Sequence, residues 1–165
     1  MKVVLVSTYE LGHQPFGLAS PHAWLTREGH CVASVDLAVE PLPEPLIREA
    51  DLVAFYLPMH TATRLALPVI ERVKRLNAQA RLICYGLYAP LNAELLRDLG
   101  VDAITGGEFE PELVKLARGE SAPQVSLERL HFLTPDRGAL PNAAAYAQIR
   151  NGESAKQVAY TEASR

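Results

Sequence analysis

Lys2-Val3-Val4-Leu5-Val6-Ser7, the loop Thr8-Tyr9-Glu10-Leu11-Gly12-His13-Gln14-Pro15-Phe16-Gly17 and the run Leu18–Glu28 together decide the fold. The first six residues are a short valine-rich run without alternation, the pattern of a strand covered on both faces. Leu18, Ala19, Ala23, Trp24 and Leu25 then recur at helical spacing, and Gly29 supplies a stop. Cys31–Asp36 reads as a second strand. Strand, long loop, helix and strand make a βαβ unit, whose crossover lays a helix on one face of a parallel sheet.

The alternation continues downstream. The prolines of Pro41-Leu42-Pro43-Glu44-Pro45 break the chain before a short helical turn to Glu49. Asp51–Leu57 is a third strand, stopped by Pro58. Ala62–Leu76 is a helix with Leu65, Val69, Val73 and Leu76 on one face, which Pro68 either kinks or starts late. Arg81–Tyr85 is a fourth strand and Asn92–Leu99 a helix closed by Gly100. Asp102–Thr105 is a fifth strand, and Pro111–Arg118 a last helix with proline in its first turn. The expected architecture is α/β in three layers, a five-stranded parallel sheet of order 2-1-3-4-5 with helices on both faces. The order reverses between strands 1 and 3, and ligands bind there, at the carboxyl ends of the strands.

The 165 residues suit one domain, or a domain and a tail. A chain 48% hydrophobic and 21% charged can bury a core, which excludes disorder and a fibre. The net charge of -3 gives no basic nucleic-acid footprint. No apolar run nears the roughly 20 residues of a membrane span, and the N-terminus is too short and too soon polar for a signal peptide. With two cysteines, Cys31 and Cys84, there is no disulfide framework or structural zinc set. A cytoplasmic protein is expected. Residues 1–119 form the expected domain. Residues 120–165 carry balanced charge, few apolar clusters and no clear period, and read as a linker or loosely packed arm that needs another surface, a second copy of the chain among the candidates.

The loops at the expected ligand edge hold the unusual residues. Loop 1 offers Thr8, Tyr9, Gly12, His13 and Gly17; loop 3 follows Tyr56 with Pro58, Met59, His60 and Thr61. Loop 4 brings Gly86, Leu87 and Tyr88, and loop 5 brings Gly106, Gly107 and Glu108. Glycines allow backbone to approach a ligand closely, and the aromatic residues would supply an apolar wall. Each has a plainer use: Tyr56 and Tyr85 as strand-end core, His60 as a helix cap, Gly106-Gly107 as a turn, Glu110 and Glu112 as acids suited to a helix N-terminus. No receiver-type aspartate ends strand 3, no G-x-G-x-x-G follows strand 1, and no catalytic triad or metal-ligand cluster stands out.

Pro15-Phe16-Gly17-Leu18, Gly29-His30, Asp36-Leu37 and Leu99-Gly100-Val101-Asp102 running into Gly107-Glu108-Phe109-Glu110 resemble the cobalamin-binding domains that precede radical S-adenosylmethionine (SAM) domains. The resemblance covers residues 1 to about 119. Thr134-Pro135-Asp136-Arg137 through Leu140-Pro141, then Tyr160-Thr161-Glu162-Ala163-Ser164-Arg165, resembles the lead-in to a radical SAM barrel. The wording of loops 1 and 3 is similar to a subgroup of radical SAM proteins with a cysteine- or selenocysteine-bearing tail.

The resemblance implies a flavodoxin-like sandwich that binds the corrin of cobalamin at the carboxyl edge, with the sixteen loop residues named above as cofactor-binding residues. It implies a radical SAM domain as partner, in cis or in trans. The 4Fe–4S cluster and S-adenosylmethionine would belong to that domain, so this chain alone is expected to bind rather than catalyse, as the N-terminal portion of a longer enzyme. The family's Asp-x-His-x-x-Gly is replaced by Glu10-x-x-His13-x-x-x-Gly17, and Tyr56 and Tyr85 stand where the family has serine and glycine. His13 is therefore not expected to ligate cobalt. The alternative reading is a degenerate scaffold that docks the barrel or another protein.

Overall fold

The computed structural model describes residues 1–152, 154–158 and 160–162. Strand β1 (Lys2–Ser7) lies between β2 (Cys31–Asp36) and β3 (Leu52–Tyr56), followed outward by β4 (Arg81–Tyr85) and β5 (Ala103–Gly107). All these pairs are parallel, and the order is the expected 2-1-3-4-5. The register brings the strand ends into one row: Ser7 pairs with Asp36 and Tyr56, Tyr56 with Tyr85, and Tyr85 with Thr105.

Period-two alternation divides each strand between two cores. Val4, Val6, Val53 and Phe55 face α2 (Glu44–Glu49), α3 (His60–Leu76) and α5 (Ala93–Asp98), meeting Ile47, Ile70, Val73 and Leu96. Val3, Leu5, Leu52, Ala54 and Tyr56 face α1 (Phe16–Arg27) and α6 (Glu110–Ala117), meeting Leu18, Leu25, Leu113 and Leu116. The sheet is thus buried on both sides, which is why its strands read as unbroken apolar runs.

Three local expectations change. α3 runs through Pro68 from His60, so the proline neither delays its start nor stops it. The expected Asn92–Leu99 helix is two pieces, α4 (Tyr88–Leu91) and α5, because Asn92 leaves the helical path and its side-chain amide donates to the Tyr88 carbonyl at 2.7 Å. The sheet has six strands rather than five. β6 (Val125–Ser126), from the expected arm, pairs parallel with β5. Gly107 permits this: at φ +69°, its missing Cβ would lie 2.0 Å from the Ser126 carbonyl oxygen. Residues 127–133 are mostly exposed, whereas Leu140 joins the α1–α6 core and Tyr146 is buried. β7 (Gln148–Asn151) and β8 (Ser154–Gln157) form a separate, fully exposed antiparallel hairpin. No helix among the described residues is long and apolar enough to cross a membrane.

Candidate functional site

The carboxyl ends of β1, β3, β4 and β5 bring all four expected loops to one edge. Thr8 is buried and donates through its hydroxyl to the Ala62 carbonyl at 2.8 Å, fixing the start of loop 1 to the first turn of α3. Leu11 takes φ +52° and Gly12 φ +78°, so loop 1 turns through two successive left-handed residues. For leucine that conformation costs about 1–2 kcal/mol. Leu11 nevertheless stands 61% exposed at the rim, as does Leu87 at 67%. Tyr9, Pro58, Met59 and Tyr88 are half-buried, while His60 and Thr61 are exposed on the first turn of α3.

Inside the rim the space between loop 1, β3 and β4 is filled with side chains. Tyr56 lies across Gly17, whose missing Cβ would sit 2.2–2.4 Å from three carbons of its ring. The Tyr85 hydroxyl donates to the Gly17 carbonyl at 2.8 Å. Tyr56, Tyr85 and Phe109 pack with ring centroids 4.9–5.9 Å apart, all three buried. Gly86 and Gly106 abut Leu57 and Pro90, so their backbones approach protein atoms. Glu108 is half-buried, and its amide donates to the Ser126 carbonyl at 2.8 Å. The plainer use assigned to Tyr56 and Tyr85 describes their packing; Leu11 and Leu87 form the exposed apolar rim.

The arm crosses the same edge. The Ala147 amide donates to the Gly12 carbonyl at 2.8 Å, and the Tyr160 ring stacks on His13 with centroids 5.7 Å apart. Arg137 donates to Gln14 at 3.0 Å and to the Tyr160 carbonyl, while Gln14 donates back to the Pro141 carbonyl at 3.0 Å. The Tyr56 hydroxyl donates to Glu162 at 2.9 Å. Of the expected lead-in, Ala163, Ser164 and Arg165 lie outside the described residues.

Sequence reasoning did not single out the acidic floor beneath this arm. Glu10 and Asp36 are both buried, and one Glu10 carboxyl oxygen has no hydrogen-bond partner among the described residues. Burial, with the neighbouring charges of Glu162 and Asp36, pushes the Glu10 carboxyl up to about 8. Burial likewise raises Asp36, against which the Tyr146 phenol sits. The local sequence around Glu10 contains no signal of this: one of the two charges acting on it, Glu162, lies more than a hundred residues away in the arm. Among the described residues, no group of three or more histidines, cysteines and acids could hold a metal ion.

No protein-family model matches the chain, and no curated protein does. Among solved structures, the chain is similar to a radical S-adenosylmethionine methyltransferase, TsrM from Kitasatospora setae, determined with tryptophan substrate and a SAM analogue. The two share 16% identity at a TM-score of 0.59, over 96% of this chain and 35% of that one. CapF with a tropolone inhibitor (16% identity, TM-score 0.43) covers 74% of this chain and 39% of its own. An α-glucosyltransferase with UDP-glucose and DNA (15%, 0.45) covers 76% of this chain and 41% of its own. The chain therefore spans about a third of the length of the methyltransferase, and what they share is the fold.

Proposed function

We propose that this chain is the corrin-binding-type module of a radical SAM protein, presenting its carboxyl edge to the cofactor and to the radical domain. The observation that carries this is the superposition of 96% of the chain, arm included, on part of a radical SAM methyltransferase. The sequence resemblance over residues 1–119 supplies the cofactor. Loops 1, 3, 4 and 5 converge where such a fold binds ligands, and the rim residues Leu11 and Leu87 would meet the flat ring. The cluster and S-adenosylmethionine remain with the radical domain, as partner in cis or in trans, and the cytoplasm is the compartment that follows.

The fit is partial. The groove between loop 1, β3 and β4 would take the nucleotide tail of cobalamin, but Tyr56 lies directly against Gly17 there. A corrinoid held by this chain would have to leave its nucleotide outside that groove. The same observation favours a second reading, a scaffold that docks the barrel without binding a corrinoid. Incubation of the whole chain with hydroxocobalamin, and separately with cobinamide, followed by desalting, separates the two. Corrin absorbance that travels with the protein at micromolar concentration supports the module; none with either corrinoid leaves the scaffold.

A further inference from the structure

Gly17 and Gly86 are glycines for different reasons. Gly86 takes φ +104°, a conformation that favours glycine on backbone grounds alone. Gly17 lies in α1 with no positive φ, where alanine is the better helix former. What Gly17 lacks is room, since its Cβ would lie 2.2–2.4 Å from three carbons of the Tyr56 ring. A Cβ on Gly86 would in turn lie 3.1 Å from Cε2 of the same ring and 2.9 Å from the Leu57 carbonyl oxygen. The ring therefore rests against two bare backbones, one from α1 and one from loop 4.

Both walls are fixed. Pro21 has no amide hydrogen, so the Gly17 carbonyl four residues before it lacks its helical partner, and the Tyr85 hydroxyl donates to it at 2.8 Å instead. The Gly86 amide donates to the Thr105 carbonyl at 3.2 Å, and the Gly86 carbonyl accepts from the Ala89 amide at 3.2 Å. The buried Tyr85 and Phe109 rings have centroids 5.4 and 5.9 Å from that of Tyr56. The Tyr56 hydroxyl donates to Glu162 of the arm at 2.9 Å. Two glycine backbones and two aromatic rings thus enclose a slot the thickness of an aromatic ring, and Tyr56 fills it.

We propose that Tyr56 is a specificity-determining residue: it occupies, as the chain's own aromatic group, the slot that a cobalamin nucleotide would enter, so that the edge selects corrinoids carrying no nucleotide. This inference rests on the corrin reading above and names the class of corrinoid. A heteroaromatic base matches a tyrosine ring in thickness and stacks on aromatic neighbours in the same way. The two cannot share the slot, because carbon contacts settle near 3.5–4.0 Å. To admit the base, Tyr56 would have to leave its packing on Tyr85 and Phe109 and its hydrogen bond to Glu162. A corrinoid without a nucleotide asks for no such change.

Equilibrium titration of the whole chain, wild type and Tyr56→Ala, with hydroxocobalamin, cobinamide and benzimidazole (the ring system of the nucleotide's base) tests this. Wild type should bind the two corrinoids alike and should not bind benzimidazole measurably up to about 1 mM. Tyr56→Ala should bind benzimidazole at least about tenfold more tightly than wild type, and should favour hydroxocobalamin over cobinamide by at least about tenfold. Gly17→Ala added to Tyr56→Ala should shrink both gains, because its Cβ enters the vacated slot. Tyr56→Val, which keeps a strand-forming residue, takes the place of Tyr56→Ala should that variant fail to fold. A wild type that prefers hydroxocobalamin tenfold overturns the proposal, as does a Tyr56 variant that binds corrinoids but lacks either gain. Binding of neither corrinoid to any form removes the corrin reading and this inference with it.

Discussion

Gly17→Ala tests the filled groove directly. Gly17 is the second residue of α1 and has no positive φ, so alanine there would ordinarily stabilise the helix by up to about 1 kcal/mol. The new Cβ would instead lie 2.2–2.4 Å from three ring carbons of Tyr56. Carbon contacts settle near 3.5–4.0 Å, so the ring must move by more than about 1 Å. It has little freedom to do so. Its hydroxyl donates to Glu162, and Tyr85 and Phe109 stand behind it with centroids 5.4 and 5.9 Å away. Overpacking of this kind costs about 1–3 kcal/mol. The expected net effect is destabilisation by about 2 kcal/mol, a fall in Tm of roughly 4–8 °C for a domain of this size. In a Tyr56→Ala background the clash is gone, and Gly17→Ala should change sign and stabilise by about 0.5–1 kcal/mol. Urea unfolding followed by circular dichroism measures all four corners of the cycle, with an expected coupling of about 3 kcal/mol. A neutral or stabilising Gly17→Ala in the wild-type background, or an equal effect in both backgrounds, would show that Tyr56 does not fill the space beside Gly17.

Other expectations follow from the same edge. Gly107→Ala places a Cβ 2.0 Å from the Ser126 carbonyl at φ +69°, so it should cost more than about 2 kcal/mol and make the 119–126 segment the first site of limited proteolysis. With the nucleotide groove filled by Tyr56, hydroxocobalamin and cobinamide should bind within about threefold of each other; a tenfold preference for the nucleotide-bearing form by equilibrium titration contradicts that. His13→Ala should leave the visible spectrum of bound cob(III)alamin unchanged, because the imidazole is stacked on Tyr160. A spectral shift on that substitution would make His13 the lower ligand.

The five strands and their order were legible because a sheet covered on both faces writes itself as continuous apolar runs, as in Leu52–Tyr56. β6 was not, because two residues carry no period of their own. Val125 and Ser126 are a strand only because Gly107 lets the Ser126 carbonyl sit where a side chain would be. The candidate loops were legible from topology, but what each side chain does there was not. Tyr56 reads equally as wall or core until Gly17 is known to lie opposite its ring. Nothing in the sequence around Glu10 marks it as buried beside Asp36, because the fold and not the local pattern brings those acids together.

Glu110 shows how the edge is held. As a carboxylate in the first turn of α6 it suits the helix dipole, and that alone would leave it in water. It is instead fully buried and accepts from the Ser20 hydroxyl at 2.7 Å. That contact fixes the N-terminus of α6 to α1, and the Tyr85 hydroxyl fixes the same helix to the sheet through the Gly17 carbonyl. The other end of loop 1 is fixed where Thr8 meets Ala62. Between these two anchors lie residues 9–16, including the left-handed Leu11, and the arm lies on top of them. Buried hydrogen bonds at both anchors are costly to break, whereas the loop already carries backbone strain and is capped mainly by polar contacts. A rearrangement that admits a ligand to this edge therefore has to be absorbed in residues 9–16 and the arm, with the strands, α1 and α6 held in place.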